Sequence, residues 1–369
     1  MIGFFSLFFG LVPGGGVLLW PAWKDRRCKM TKNRYKNIFL FTGQGSQYHG
    51  MAGAFYRTEP VFRKWMDELD KIPLVKISTS VTGFLYAGLD PEGSLENQVP
   101  FDSIMVSHPA LFMVQFSLAK TLIHYGIVPD CILGTSLGEY VALALAGVMP
   151  AQTILEALID HARTLGACCA PGVMIGVAGS PGRYESDPVI RRNSSLAGIS
   201  SPRHFVVSGD LNGMEKVVRH LEETDTGFQR LPVQFGFHSP NIEPALPEWE
   251  KKLGKMAYAM NPPDMDVISC CTGELFKKSS PPSPNFLADI GRSTIRFPDA
   301  LKTLDREIQG QDRRNAGPVN ILDLGPGALS SGFVRQNRIL AGPVRIYRIM
   351  TLFGSELKNM NKIKAELVS

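Results

Sequence analysis

The residues Gly134-Thr135-Ser136-Leu137-Gly138-Glu139 carry the clearest chemistry in the chain. They follow an apolar run, Cys131-Ile132-Leu133, and precede a helical pattern from Tyr140 to Ala146. That order predicts strand, sharp turn and helix, with Gly-x-Ser-x-Gly at the turn. A serine on such a turn has its hydroxyl pushed clear of the sheet, and small neighbours let a substrate carbonyl approach. The start of the next helix leaves N–H groups unpaired and adds partial positive charge. The Leu137 N–H is then placed to stabilise an oxyanion. A glycine-rich turn capped by a serine fits the same letters, and the motif alone does not separate the two readings.

Several elements must position this turn. Asn37-Ile38-Phe39-Leu40-Phe41 reads as a buried strand, followed by Thr42-Gly43-Gln44-Gly45-Ser46-Gln47. Glycines on both sides of Gln44 let the backbone approach something closely and aim the amide at it. An ordinary loop after a first strand is the competing reading. Gly53 to Lys71 reads as one amphipathic helix, and Ser107-His108-Pro109-Ala110-Leu111 opens another, with proline in its first turn. A helix over Ala151 to Leu165 follows the nucleophile region.

From there the expected succession is a strand at Val173–Ala178, a helical insert, strands at Leu196–Ile199 and His204–Ser208, a helix at Leu211–Glu223 and a strand at Gln229–Val233. That is a ferredoxin-like pattern, inserted in a larger α/β domain. The larger domain resumes at Phe235-Gly236-Phe237-His238-Ser239-Pro240. It continues with a helix near Ala245–Met256, a strand at Val267–Ser269, and strand then turn at Asn320 to Gly327. The expected division is 30–170 and 235–369 as one large subdomain and 171–234 as the small one.

The totals bound the function. Of 369 residues, 44% are hydrophobic and 20% charged, a globular composition. Lys and Arg exceed Asp and Glu by 39 − 34 = 5. Residues 1–29 supply three of those charges, so the rest gives no reason to expect nucleic acid or a polybasic membrane patch. Six cysteines show neither metal-ligand spacing nor a disulfide framework, and adjacent pairs such as Cys168-Cys169 seldom bridge. A reducing, cytoplasmic compartment is expected. Met1 to Trp23 carries no charge and precedes a basic cluster. It reads against a secretory signal, whose charge comes first. Pro13-Gly14-Gly15-Gly16 interrupts it as a membrane anchor. An apolar extension outside the fold, with the domain starting at Met30, is the favoured expectation.

Four motifs in order resemble the malonyl-CoA:acyl-carrier-protein transacylases and their relatives among the acyltransferases of polyketide synthases. These are Phe41-Thr42-Gly43-Gln44-Gly45-Ser46-Gln47, Gly134-x-Ser136-x-Gly138-Glu139, His238-Ser239-Pro240 and Leu324-Gly325-Pro326-Gly327. The resemblance runs from about residue 36 to about 350. It implies an α/β-hydrolase-like core with a ferredoxin-like subdomain. It implies that Ser136 attacks a thioester carbonyl while His238 takes its proton. The Nδ1 partner of His238 would be a main-chain carbonyl, placed near Ile290. The N–H groups of Leu137 and Gln44 would hold the oxyanion. A carrier thiol or water then takes the acyl group, with no metal or cofactor. The implied partners are acyl carrier protein, acyl-CoA and a polyketide synthase complex, with no nucleic acid.

Three positions depart from a malonyl transferase. The family's histidine before the nucleophile is Thr135, and its glutamine at the start of the Pro-Ala-Leu helix is His108. The arginine that clamps the malonyl carboxylate lies fourteen residues after the position of Gly147, which here is His161. Arg163 is two places on, about 200° around a helix, and should face elsewhere. A buried carboxylate needs a cation, best a bidentate guanidinium. Neutral acyl groups are therefore expected, as in relatives without this arginine that resemble acyl hydrolases clearing stalled chains from carrier proteins. Phe237 pulls the other way, because that aromatic accompanies malonyl pockets. The alternatives are malonyl loading, an ordinary esterase of α/β-hydrolase type, and a non-catalytic carrier-docking subunit.

Overall fold

The structure, a computed structural model, describes residues 35–87, 101–256, 260–311, 317–352 and 354–368. The apolar segment 1–29 and the start expected at Met30 lie outside the described residues. One compact unit spans Arg34–Ser369. Its strands are β1 (Asn37–Phe41), β2 (Cys131–Gly134), β3 (Gly172–Ala178), β4 (Ser195–Ser201), β5 (His204–Asp210), β6 (Phe228–Arg230), β7 (Asp266–Ser269), β8 (Ile295–Arg296), β9 (Val319–Asp323) and β10 (Val344–Arg348).

Among the described residues these strands form two five-stranded sheets. The first has the order β10-β9-β1-β2-β7, and every pair in it is parallel. Its central strands β1 and β2 read as nearly unbroken apolar runs because both faces are covered, whereas the edge strand β10 is partly exposed and carries Arg345 and Arg348. Phe39, Phe41, Ile132 and Leu322 enter the core beneath helices that include Ile104–His124, Gly138–Leu145 and Ala151–Cys168. Ile38, Leu40, Leu133 and Ile321 face the helix Phe297–Gln309 instead. The chain leaves β1 toward β2 and β7, then returns to β9 on the other side of β1. Open parallel sheets place ligands at the carboxyl ends of the strands beside such a reversal. The loops beginning at Thr42, Thr135 and Leu324 all lie at those ends.

The second sheet has the order β6-β3-β5-β4-β8. Its first four strands are antiparallel neighbours, and β8 joins parallel to β4 from far along the chain. The succession expected over 173–233 is present. The helix Leu211–Glu223 has the bounds read from the sequence, and β6 ends at Arg230 rather than Val233. The helix expected over Gly53 to Lys71 is two helices, Gly53–Thr58 and Pro60–Ile77. Glu59 is extended, with φ −104° and ψ 103°, as the residue before a proline prefers. Among the described residues no helix is long and apolar enough to cross a membrane.

Candidate active site

The turn after β2 is strand, corner and helix, and its glycines are required by contact. A Cβ on Gly138 would sit 2.4 Å from the Phe41 carbonyl oxygen, and one on Gly134 would sit 2.7 Å from the Glu139 Cα. Without a side chain at Gly138 the helix can start this close to β1, and without one at Gly134 it can turn back this tightly on the end of β2. The Thr135 N–H donates to the Phe41 carbonyl at 3.0 Å and pins the corner to β1. Ser136 sits at φ 53°, in the left-handed region that a non-glycine residue seldom adopts. The turn thereby throws its hydroxyl out above the sheet.

His238 comes from a separate element and is also left-handed, at φ 58°. Its N–H donates to the Gly291 carbonyl at 2.7 Å. Its Nε2 lies 2.9 Å from Ser136 Oγ, and its Nδ1 lies 2.7 Å from the Ser293 carbonyl. A carbonyl only accepts, so Nδ1 carries the hydrogen and Nε2 is free to accept the serine proton. The partner carbonyl is therefore that of Ser293, not one near Ile290 as the sequence suggested. Ile290 lies inside the helix Phe286–Arg292, where carbonyls run along the axis, whereas Ser293 caps that helix in extended conformation. The Ile290 side chain lines the cleft instead.

Burial pushes the His238 pKa down to about 4, against the opposing pull of the Ser293 hydrogen bond. A base acts in its neutral form, so activity is lost only as pH falls through that value. We expect kcat/KM for a short neutral thioester to be flat from about pH 6 to 8 and half-maximal near pH 4. A half-point at an ordinary histidine value would contradict the buried geometry. His108 and His161 are likewise lowered by burial, to about 3 and about 4. Folded pKa values below the unfolded one mean that the unfolded chain takes up more protons as pH drops. The stability they contribute is thus present above the unfolded value and lost as pH falls toward 4, so the profile requires circular dichroism alongside it.

Gln44 and Leu137 line the same cleft as Ser136. Among the described residues neither of their N–H groups is taken by another protein group, so both can meet an oxyanion. The Gln44 amide is held by the helix Ile104–His124. Its Nε2 donates to Ser107 Oγ at 3.1 Å, and its Oε1 lies 3.1 Å from His108 Nε2. Thr135 pairs with Cys270 Sγ at 3.4 Å. Phe237 is buried, with its ring 5.6 Å from that of His108.

The helix Ala151–Cys168 separates His161 from Arg163. His161 is 4% exposed, lines the cleft and lies on the Trp249 ring at 4.9 Å. The Arg163 side chain is 50% exposed, pairs with Asp160 at 3.1 Å and donates to the Lys76 carbonyl at 2.9 Å. The cleft is about 210 Å³ and partly open to solvent. Among the described residues lining it there is no Asp, Glu, Lys or Arg.

Glu139 has a role that sequence reasoning missed. It is fully buried at the start of the nucleophile helix and accepts from Ser269 Oγ and the Cys271 N–H, each at 2.9 Å. Burial pushes its pKa up to about 8. It ties the end of β7 to the corner that carries Ser136, and Tyr140 ties the same helix to the Leu287 carbonyl at 2.7 Å. Glu139 stood in the motif, but its partners lie about 130 residues away, as the 2.9 Å contacts record. Among the described residues no group of three or more His, Cys, Asp or Glu is placed to hold a metal ion.

Comparison with known proteins gives the same outline. Residues 38–310 match the acyl transferase domain family. The chain is 32% identical over 332 residues to the polyketide biosynthesis acyltransferase homolog BaeD of Bacillus velezensis, covering 90% of this chain and 97% of that one. It is 35% identical over 324 residues to the polyketide biosynthesis protein ThaF of Burkholderia thailandensis, covering 88% of this chain but only 26% of that much longer one. The fold is like that of the malonyl CoA-acyl carrier protein transacylase from Clostridium perfringens. There the TM-score is 0.69 at 22% identity, over 90% of this chain and 97% of that one.

Proposed function

The chain belongs to the acyl transferase domain family, as an enzyme of the polyketide-synthase acyltransferase type, and on that premise we propose that it is a hydrolase of acyl groups held on a carrier protein. Ser136 Oγ attacks the thioester carbonyl carbon and His238 Nε2 takes the hydroxyl proton. The free N–H groups of Leu137 and Gln44 hold the oxyanion as the C–S bond breaks, and His238 returns the proton to the departing thiol. Water then attacks the acyl-serine with His238 as base. The carboxylic acid leaves and Ser136 is restored.

The observation that carries this reading is the uncharged cleft. A malonyl carboxylate entering it would lose its hydration and meet no cation on the lining, because Arg163 is paired outside, Lys252 behind His161 donates to Thr164 at 2.8 Å, and burial and that lysine together hold His161 neutral. A short neutral acyl group suffers no such loss. The substrates fitting this reading are acyl carrier protein and acyl-CoA thioesters in a polyketide synthase system, in the cytoplasm. We read residues 30–170 and 235–369 as one α/β-hydrolase-like body with a ferredoxin-like unit at 171–234, a division supported by β3 to β6 falling together in the second sheet, which β8 joins at its edge from the larger body.

The test is partition. Acetyl and malonyl groups on a phosphopantetheinyl carrier are presented with and without a second carrier thiol. Free acetate released at a rate indifferent to the acceptor supports hydrolysis. Malonyl moved to the acceptor faster than any acid is freed returns the loading transferase.

A further inference from the structure

The acyl end of the cleft contains polar atoms with no partner. The Gln44 Nε2 donates to Ser107 Oγ, which turns its Oε1 toward His108 Nε2. That oxygen only accepts, so His108 Nε2 carries the hydrogen and Nδ1 is a bare lone pair. His108 Nδ1 is buried and unpartnered. Among the described residues His161 makes no hydrogen bond either. It rests on Trp249, and its Cε1 edge would lie 3.5 Å from a Cβ on Gly291. Both rings line the cleft, and His161 is near enough to disfavour charge on His108, while Lys252 does the same to His161.

Of the other polar groups nearby, the Tyr140 hydroxyl donates to the Leu287 carbonyl and Thr135 Oγ1 meets Cys270 Sγ, while Trp249 Nε1, which does not line the cleft, is buried without a partner among the described residues. The remaining wall is apolar, including Leu158, Phe237 and Ile290. A buried acceptor left empty is costly, and folded proteins seldom leave one without a ligand or water to fill it.

We propose that the acyl groups this cleft accepts carry a hydroxyl, which donates to His108 Nδ1 and accepts from an imidazole N–H of His161. His108 and His161 are then specificity residues that read the acyl chain rather than relics of a carboxylate clamp. The proposal rests on the reading above, that a short neutral acyl group is loaded on Ser136.

Matched pantetheine thioesters test it: lactyl against propionyl, and 3-hydroxybutyryl against butyryl. In direct competition the wild-type protein should favour the hydroxylated member of at least one pair by roughly tenfold or more in kcat/KM. His108→Leu should erase that preference, mainly by slowing the hydroxylated member. His161→Phe gives a second variant in case the first does not fold, and the wild-type competition needs neither. Equal rates within both pairs, with the acyl group found on Ser136, would overturn the inference, leave the neutral-acyl reading standing and assign the lone pair to a water. Failure of all four thioesters to acylate Ser136 would overturn both.

Discussion

Ser136→Ala is expected to lower thioester turnover by roughly 10⁴- to 10⁶-fold and to leave no acyl group on the protein. The effect is large because one atom makes the covalent bond, and the free N–H groups and cleft supply only residual catalysis without it. Folding should be unaffected. Alanine keeps the Cβ that serine already holds at φ 53°, and among the described residues the hydroxyl hydrogen-bonds only His238. Mass spectrometry of a peptide digest after brief exposure to a short acyl thioester checks the claim. An acyl group mapped to any other residue would show that the corner is structural.

His161→Arg is expected to shift relative specificity toward malonyl by roughly thirtyfold, or about 2 kcal/mol for a close, partly shielded charge pair. The guanidinium would enter from the same helical position and could stack on the Trp249 ring, which His161 occupies at 4.9 Å. Neutral acyl groups should lose little beyond what the larger side chain displaces. Arg163→Ala serves as the control and should leave both substrates unchanged, because Arg163 spends itself on Asp160 and the Lys76 carbonyl at the surface. Malonyl turnover that collapses with Arg163 and not with His161 would reverse the two assignments.

What the sequence made legible is what local geometry constrains. The corner at Ser136 could be read because two glycines and a serine must share a turn within hydrogen-bond distance of β1. The buried strand β1 could be read from the run Ile38 to Phe41, which lacks polar alternation because both faces are buried. The separation of His161 from Arg163 followed from helical angle alone, and the structure places them on different faces. His238 was legible only through the four-motif resemblance, since no spacing rule brings it to Ser136.

The rest depended on contacts between distant segments. The carbonyl behind His238 was placed three residues early because the end of the Phe286–Arg292 helix cannot be fixed from letters alone. The two-residue strand β8 has too little pattern to announce itself and exists only because β4 offers an edge. The Glu139 link to Ser269 and Cys271 crosses from the nucleophile helix to β7, and the sequence motif contains only one end of it.

The central claim is that an uncharged cleft selects neutral acyl groups and passes them to water through Ser136. Its most direct test is intact-protein mass spectrometry of the wild type, mixed with equimolar acetyl and malonyl pantetheine thioesters and quenched in acid over time, with the free acids measured in parallel. The account predicts an acetyl adduct that appears first, decays without any added thiol and leaves acetate in matching amount. A malonyl adduct that dominates and persists until a carrier thiol is supplied would contradict it.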